Sequence, residues 1–175
     1  VVCIGSLSND FGTPGVREHA MRLETAEDAR RFHARMVNAC IRAHHQAAAL
    51  RSGQLHVAII GAGATGIELA AELHRTTREV VAYGLERVNP DKDIRVKVIE
   101  AAPRVLPALP ERLSQATQHL LGKLGVEVHT HAKVEAVMAD GVRLADGRTL
   151  EAEIVVWAAG VKAPDILNHI AGLES

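Results

Sequence analysis

The residues with the most chemistry in them are Gly61-Ala62-Gly63-Ala64-Thr65-Gly66, a G-x-G-x-x-G string. Alone, such a string also fits a glycine-rich turn. Here a β-branched run, Leu55 to Ile60, precedes it and a helical pattern follows it through about Leu73, extending towards Leu85. That context is the one a phosphate-binding turn requires. Gly61 would permit the tight turn, Gly63 would let the backbone approach a pyrophosphate, and Gly66 would allow close helix–strand packing. Ala62, Ala64 and Thr65 complete the turn. The helix N-terminus offers unpaired N–H groups and the positive end of its dipole to an anion.

Glu100 ends the next strand-like run, Val96 to Glu100. A carboxylate there accepts from both ribose hydroxyls and repels a 2′-phosphate, which favours NADH over NADPH. The interval from Gly66 to Glu100 is longer than the roughly 20 residues usual for this motif. A surface insertion over Tyr83 to Ile94, broken at Asn89-Pro90-Asp91, would account for the excess. Arg104 is the counter-argument, because a nearby arginine can receive a 2′-phosphate. A solvated glutamate at a strand end is the plain alternative for Glu100.

Other chemistries lack their residues. The one tyrosine, Tyr83, is followed four positions later by Arg87, so no Tyr-x-x-x-Lys proton relay exists. His129 and His131 would share one side of a strand, but no third ligand clusters with them, so no metal site is assigned. G-x-S-x-G and H-E-x-x-H are absent. A nicotinamide site without its own acid–base group suits a hydride acceptor that is itself a cofactor, such as a flavin.

Composition narrows the field further. Lys and Arg number 20 against 21 Asp and Glu, and aromatics make up 2% of the 175 residues. With no cationic stripe and no stacking platform, nucleic acid is excluded as a partner. Cys3 and Cys40 form neither a disulfide framework nor a C-x-x-C pair. No apolar run approaches the ~20 residues of a membrane span. The sequence opens on apolar Val1-Val2-Cys3-Ile4 rather than Met, as a piece of a longer protein would.

The elements that must position the site follow from periodicity. Val1 to Gly5 reads as a buried strand and Ser8 to Gly15 as a loop. Thr25-Ala26-Glu27-Asp28 has capping-box spacing and should open a helix to about Leu50, with Phe32, Met36, Ala39 and Ala43 as its buried stripe. Ala101 to Pro110, with three prolines, must be loop. Glu111 to Leu124 should be a helix with Leu113, Leu120, Leu121 and Leu124 on one side. After the strand Val126 to Val128 come strand-like runs at Lys133–Met138, Val142–Ala145 and Arg148–Trp157, with Asp140-Gly141 and Asp146-Gly147 as hairpin turns. The predicted fold is α/β: a Rossmann-like parallel sheet with helices on its faces and a β-meander crossover.

Three segments, taken together, resemble the type II NADH:quinone oxidoreductases. They are Gly61 through Leu73, Val98 through Pro107, and Val156-Trp157-Ala158-Ala159-Gly160-Val161-Lys162-Ala163-Pro164. The opening, Gly5-Ser6, Asn9 to Val16 and Glu18-His19, is similar too, so the resemblance spans nearly the whole chain. One departure is Cys3-Ile4-Gly5, where the family prefers Ala-x-Gly.

The resemblance implies an NADH-binding domain over residues 53–160. Residues 1–52 would be an edge of an FAD-binding domain with connecting helices, and 161–175 the start of its returning segment. It implies NADH as cofactor, contacted also at Ala159 and Gly160, with FAD in the full-length parent. It implies quinone and membrane surface as partners through segments outside this stretch, with a homodimer left open. The parent would lie peripherally on the cytoplasmic side of the bacterial inner membrane, while this piece alone would be soluble and inactive. Glu68 matches a family carboxylate where nicotinamide, flavin and quinone sites meet; as a first-turn glutamate it could equally serve only the helix dipole. Two rivals remain: the NAD(P)H-binding domain of a flavoprotein disulfide, ferredoxin or peroxide reductase, and a non-catalytic NADH-sensing module.

Overall fold

The computed structural model describes residues 4–169. Its centre is a five-stranded, fully parallel sheet. In spatial order the strands are β2 (Ala20–Met21), β9 (Ile154–Trp157), β3 (His56–Ile60), β4 (Arg95–Ile99) and β5 (Glu127–His129). A three-stranded antiparallel meander follows β5: β6 (Val134–Met138), β7 (Gly141–Leu144) and β8 (Thr149–Glu151). A two-residue ribbon pairs β1 (Leu7–Ser8) with β10 (Val161–Lys162). The helices are α1 (Val16–His19), α2 (Ala26–His45), α3 (Ala64–Ala82) and α4 (Glu111–Lys123).

Strand residues alternate between two cores, as expected where both faces of a sheet are covered. Val57, Ile59, Val96, Val98, Ile154 and Val156 face Phe32 and Met36 of α2, Ala70 and Leu73 of α3, and Leu121 of α4. Ala58, Ile60, Ile99, Val155 and Trp157 face Val134, Val137, Val142 and Leu144 of the meander. The three long helices thus share one face and the meander covers the other. The expectation of helices on both faces is corrected in that respect.

Helix α2 opens as its sequence requires, but it ends at His45 rather than near the expected Leu50. The Thr25 hydroxyl accepts from Asp28 N at 3.1 Å, and the Asp28 carboxylate accepts from Thr25 N at 3.0 Å. All four residues of the expected stripe are buried, and Cys40 joins them. Burial pushes the Cys40 thiol up to about 11, so it is protonated and inert at neutral pH.

Four other local expectations need correction. The strand expected at Val1 to Gly5 falls partly outside the described residues, and its remainder, Ile4 and Gly5, is exposed coil. Leu113 and Leu120 of α4 point outward, and Ser114 points inward instead because its hydroxyl donates to Val105 O at 2.6 Å. The run Arg148–Trp157 is two strands rather than one. It breaks at Ala152-Glu153, where the Glu153 carboxylate accepts from Leu55 N at 2.9 Å and pairs with Arg42 of α2. The segment 83–94, expected as a surface insertion, is a series of turns that buries Val88 and Ile94 in the helix-side core and so is not wholly superficial.

One buried cation has a measurable consequence. Lys97, 9% exposed, donates from Nζ to Glu151 O at 2.9 Å and lies 3.3 Å from His56 Nδ1. Burial, and then the Lys97 charge, hold the His56 pKa below its ordinary value of 6.5. Below that value the unfolded chain binds a proton that the folded chain refuses. The His56 contribution to stability is therefore complete above pH 6.5 and is lost as pH falls through the window beneath it. Urea melts at pH 7.5 and 5.5 should show a smaller loss on acidification for His56→Gln than for the unaltered chain; equal losses would remove His56 as the cause.

Candidate nucleotide-binding site

The site is built where β3 gives way to α3. Gly61 adopts φ +105°, and its N–H donates to Ile99 O at 2.8 Å. A Cβ at this position would lie 2.5 Å from Ala158 O, so no other residue fits between β3 and the exit of β9. Gly66, on the first turn of α3, lies against Gly61: a Cβ there would stand 2.0 Å from Gly61 O. These two glycines set how closely the helix approaches the sheet.

Gly63 differs from both. It is the N-cap of α3, with φ −72° and no capping side chain, and no atom lies within 4 Å of where its Cβ would be. Ala64 and Thr65, the first helical residues, are exposed. The N-terminus of α3 therefore presents uncapped N–H groups beside open space. That combination accepts an anion approaching along the helix axis.

Glu100 is fixed against this loop from the next strand. Its Oε2 accepts from Ala62 N and its Oε1 from Ala102 N, both at 2.8 Å. Each oxygen retains lone-pair capacity for a further donor. Leu106 N reaches Ala62 O at 2.8 Å, so the proline-rich segment packs against the glycine loop. Arg104 turns into that segment, donating to Pro107 O and Leu109 O at 2.8 and 2.7 Å. Its guanidinium shapes the loop and does not face Glu100.

The exit of β9 closes the other side. Ala158 N donates to Ile60 O at 2.7 Å, which brings Ala159 beside Gly61 and leads the chain on to Gly160, against Phe11. A cleft of about 330 Å³ runs past Phe11, Gly61, Glu100, Lys133, Trp157 and Ala159. A second, of about 240 Å³, lies across Gly160 and includes Thr65, Leu69 and Glu24. Gly61, Ala62, Gly63, Ala64, Thr65, Gly66, Glu100, Ala159 and Gly160 are thus gathered at one end of the sheet. Glu68 is not among the lining of either cleft. It is exposed and stands one residue past the first turn of α3, which contains no acid, so the helix-dipole role is also weakened.

The histidine pair does not assemble. His131 leaves β5 with φ +53° and is exposed, while His129 Nε2 is buried without a hydrogen bond, 3.7 Å from Glu127. Among the described residues no three His, Cys, Asp or Glu side chains gather as metal ligands. No described helix is long and apolar enough to cross a membrane.

A family model for pyridine nucleotide-disulphide oxidoreductases matches residues 1–175. The chain belongs to that family. It is homologous to type II NADH:quinone oxidoreductases. It is 32% identical to the Haemophilus influenzae enzyme of that name over 186 aligned positions, covering 99% of this chain and 42% of the relative. It is also 32% identical to the type II NADH:quinone oxidoreductase NdhA of Mycobacterium tuberculosis, covering 98% of this chain and 37% of that one. The chain therefore spans less than half the length of these relatives. In fold it matches the NDH2 structure of Plasmodium falciparum solved with NADH, at TM-score 0.85 and 21% identity, covering 94% of this chain and 34% of that one. The α/β nucleotide-binding fold of this oxidoreductase family is thereby established for the chain.

Sequence reasoning missed two participants. Phe11 lines the larger cleft, and the Trp157 indole N–H donates to Asn9 O at 2.8 Å, holding the Asn9 to Thr13 loop over the sheet's end. The turn-forming composition of Asn9 to Gly15 announced a loop but not its docking site.

Proposed function

We propose that this chain is the NADH-binding portion of a flavin-dependent NADH dehydrogenase whose full-length form passes hydride from NADH to FAD and electrons on to a quinone. The observation that carries the reading is the open Cβ position of Gly63 at the uncapped N-terminus of α3, between two glycines that admit no side chain. A pyrophosphate fits that space. Residues 53–160 hold the nucleotide, and 1–52 with 161–175 connect it to an FAD domain. Helix α2 and strand β2 nonetheless pack into the sheet's own core.

In this reading the bound nucleotide supplies the hydride. The N–H groups of Ala64, Thr65 and Gly66 neutralise the pyrophosphate, and Gly61 and Gly66 keep the loop close enough to do so. Glu100 accepts from the adenosine ribose. The backbone of Ala159 and Gly160 borders the nicotinamide end. Glu68 is assigned a place near the flavin and quinone on the family resemblance alone. The enzyme's work is alignment of the two cofactors and exclusion of water. Peripheral attachment to the cytoplasmic side of a bacterial inner membrane belongs to the parent.

Titration of the chain with NADH and NADPH tests the assignment. NADH should bind more tightly, because a 2′-phosphate would meet the Glu100 carboxylate and Arg104 is engaged elsewhere. Glu100→Ala should narrow the difference. It should also destabilise the fold by about 1–3 kcal/mol, since Ala62 N is buried and would lose its acceptor. Equal affinity for the two nucleotides in the unaltered chain contradicts the role given to Glu100.

A further inference from the structure

The chain has four aromatic side chains of the Phe, Trp and Tyr types, and one of them occupies an unusual place. Phe11 has φ +50°, a left-handed conformation that is an outlier for a bulky residue, and it is 64% exposed. The left-handed backbone costs free energy and the exposed ring returns none through burial, and such strain persists where surroundings enforce it and function uses it.

The surroundings do enforce this one. Asn9 N donates to Gly160 O at 3.0 Å while Asn9 O accepts from the Trp157 indole. Phe11 N and Gly12 N donate to the side chains of Asn9 and Asp10, at 3.0 and 3.1 Å. Asp10 is in turn gripped by Arg17 at 2.8 Å and Arg22 at 3.5 Å. The result is a rigid turn that presents the Phe11 ring at the mouth of the cleft containing Gly61, Glu100 and Ala159. The ring also lies against Gly160, where an added Cβ would be 2.9 Å from Phe11 Cζ.

Sheet order tells which part of a dinucleotide would meet this ring. Glu100, the ribose acceptor, leaves β4; the pyrophosphate turn leaves β3; Phe11 and Gly160 sit at the exit of β9, on the side of β3 away from β4. A ligand anchored on Glu100 at its adenosine end and crossing the α3 N-terminus arrives at Phe11 with its other ring.

We propose that Phe11 is a binding residue for the nicotinamide ring, held in a strained turn over Gly160 so that its face stacks on that heterocycle. The proposal rests on the dinucleotide reading given above. Gly160 serves it by leaving the ring room to lie flat.

NADH and ADP-ribose, which lacks nicotinamide, separate the two readings when titrated calorimetrically into the 175-residue chain. Phe11→Ala should weaken NADH about tenfold, the scale of one lost ring stack, and leave ADP-ribose within about twofold. Phe11→Tyr should restore NADH affinity. Phe11→Gly, whose backbone accepts the turn without strain, should melt no lower than the unaltered chain yet show the same selective loss. Unchanged NADH affinity in Phe11→Ala and Phe11→Gly, or equal losses for both ligands, overturns the role of Phe11. Failure of the unaltered chain to bind ADP-ribose overturns the dinucleotide reading itself, and this proposal with it.

Discussion

Gly63→Val is expected to lower NADH affinity by about a hundredfold or more while shifting the melting temperature by only about 2–4 °C. The two halves of that expectation come from different features of one residue. Gly63 has φ −72°, which any L-residue adopts, and no protein atom within 4 Å of its Cβ position. A valine there strains no backbone, and its Cβ meets no atom beyond its own chain neighbours. Its cost to folding is that of a poor N-cap replacing a tolerated one, about 1 kcal/mol. The methyl groups would instead occupy the space beside the uncapped N–H groups of α3, which the pyrophosphate must enter to make its contacts. Calorimetric titration and a thermal melt on the same sample read both quantities. Undiminished NADH binding by a folded Gly63→Val chain would remove the phosphate site from this loop.

Much of this was legible in the sequence because it depends on local rules. The capping box at Thr25 to Asp28 needs only residues three apart, and its hydrogen bonds form as the spacing predicts. The Asp140-Gly141 and Asp146-Gly147 turns close the meander, whose hairpins depend on glycine at φ +153° and +87°. The glycine string carried its own context of strand, turn and helix.

What stayed hidden depends on partners distant in the chain. The inward side of α4 includes Ser114 because Val105 O waits nine residues upstream, a contact that no count of leucines foretells. The break at Ala152-Glu153 exists because Leu55 N and Arg42, some hundred positions earlier, converge on one carboxylate. Phe11 was hidden for the same reason. Its place is fixed by Trp157 and Gly160 at the far end of the described chain. Glu100 was found by its position at a strand end, but its two bonds to Ala62 and Ala102 were not foreseen, and they make it part of the loop's structure as well as its chemistry.

Gly66→Ala should have the opposite signature to Gly63→Val: a large loss of stability from a single methyl group. The added Cβ would stand 2.0 Å from Gly61 O and 3.1 Å from Gly61 C, contacts no relaxation of a side chain can relieve. Gly61 cannot retreat, because its N–H is bonded to Ile99 O and the space behind it is filled by Ala158. Helix α3 must then lift from β3, opening the packing of buried Ala70 and Leu73 against the sheet. Overpacking of this kind costs about 3 kcal/mol, near the top of its usual range, or about 10 °C in melting temperature at this chain length. Urea denaturation measures it directly, and the fraction still folded should retain part of its affinity, since Gly66 contributes its backbone rather than a side chain. A Gly66→Ala chain that melts with the unaltered protein would show that α3 has slack against β3, and that the close approach of the helix to the sheet is not what these glycines are for.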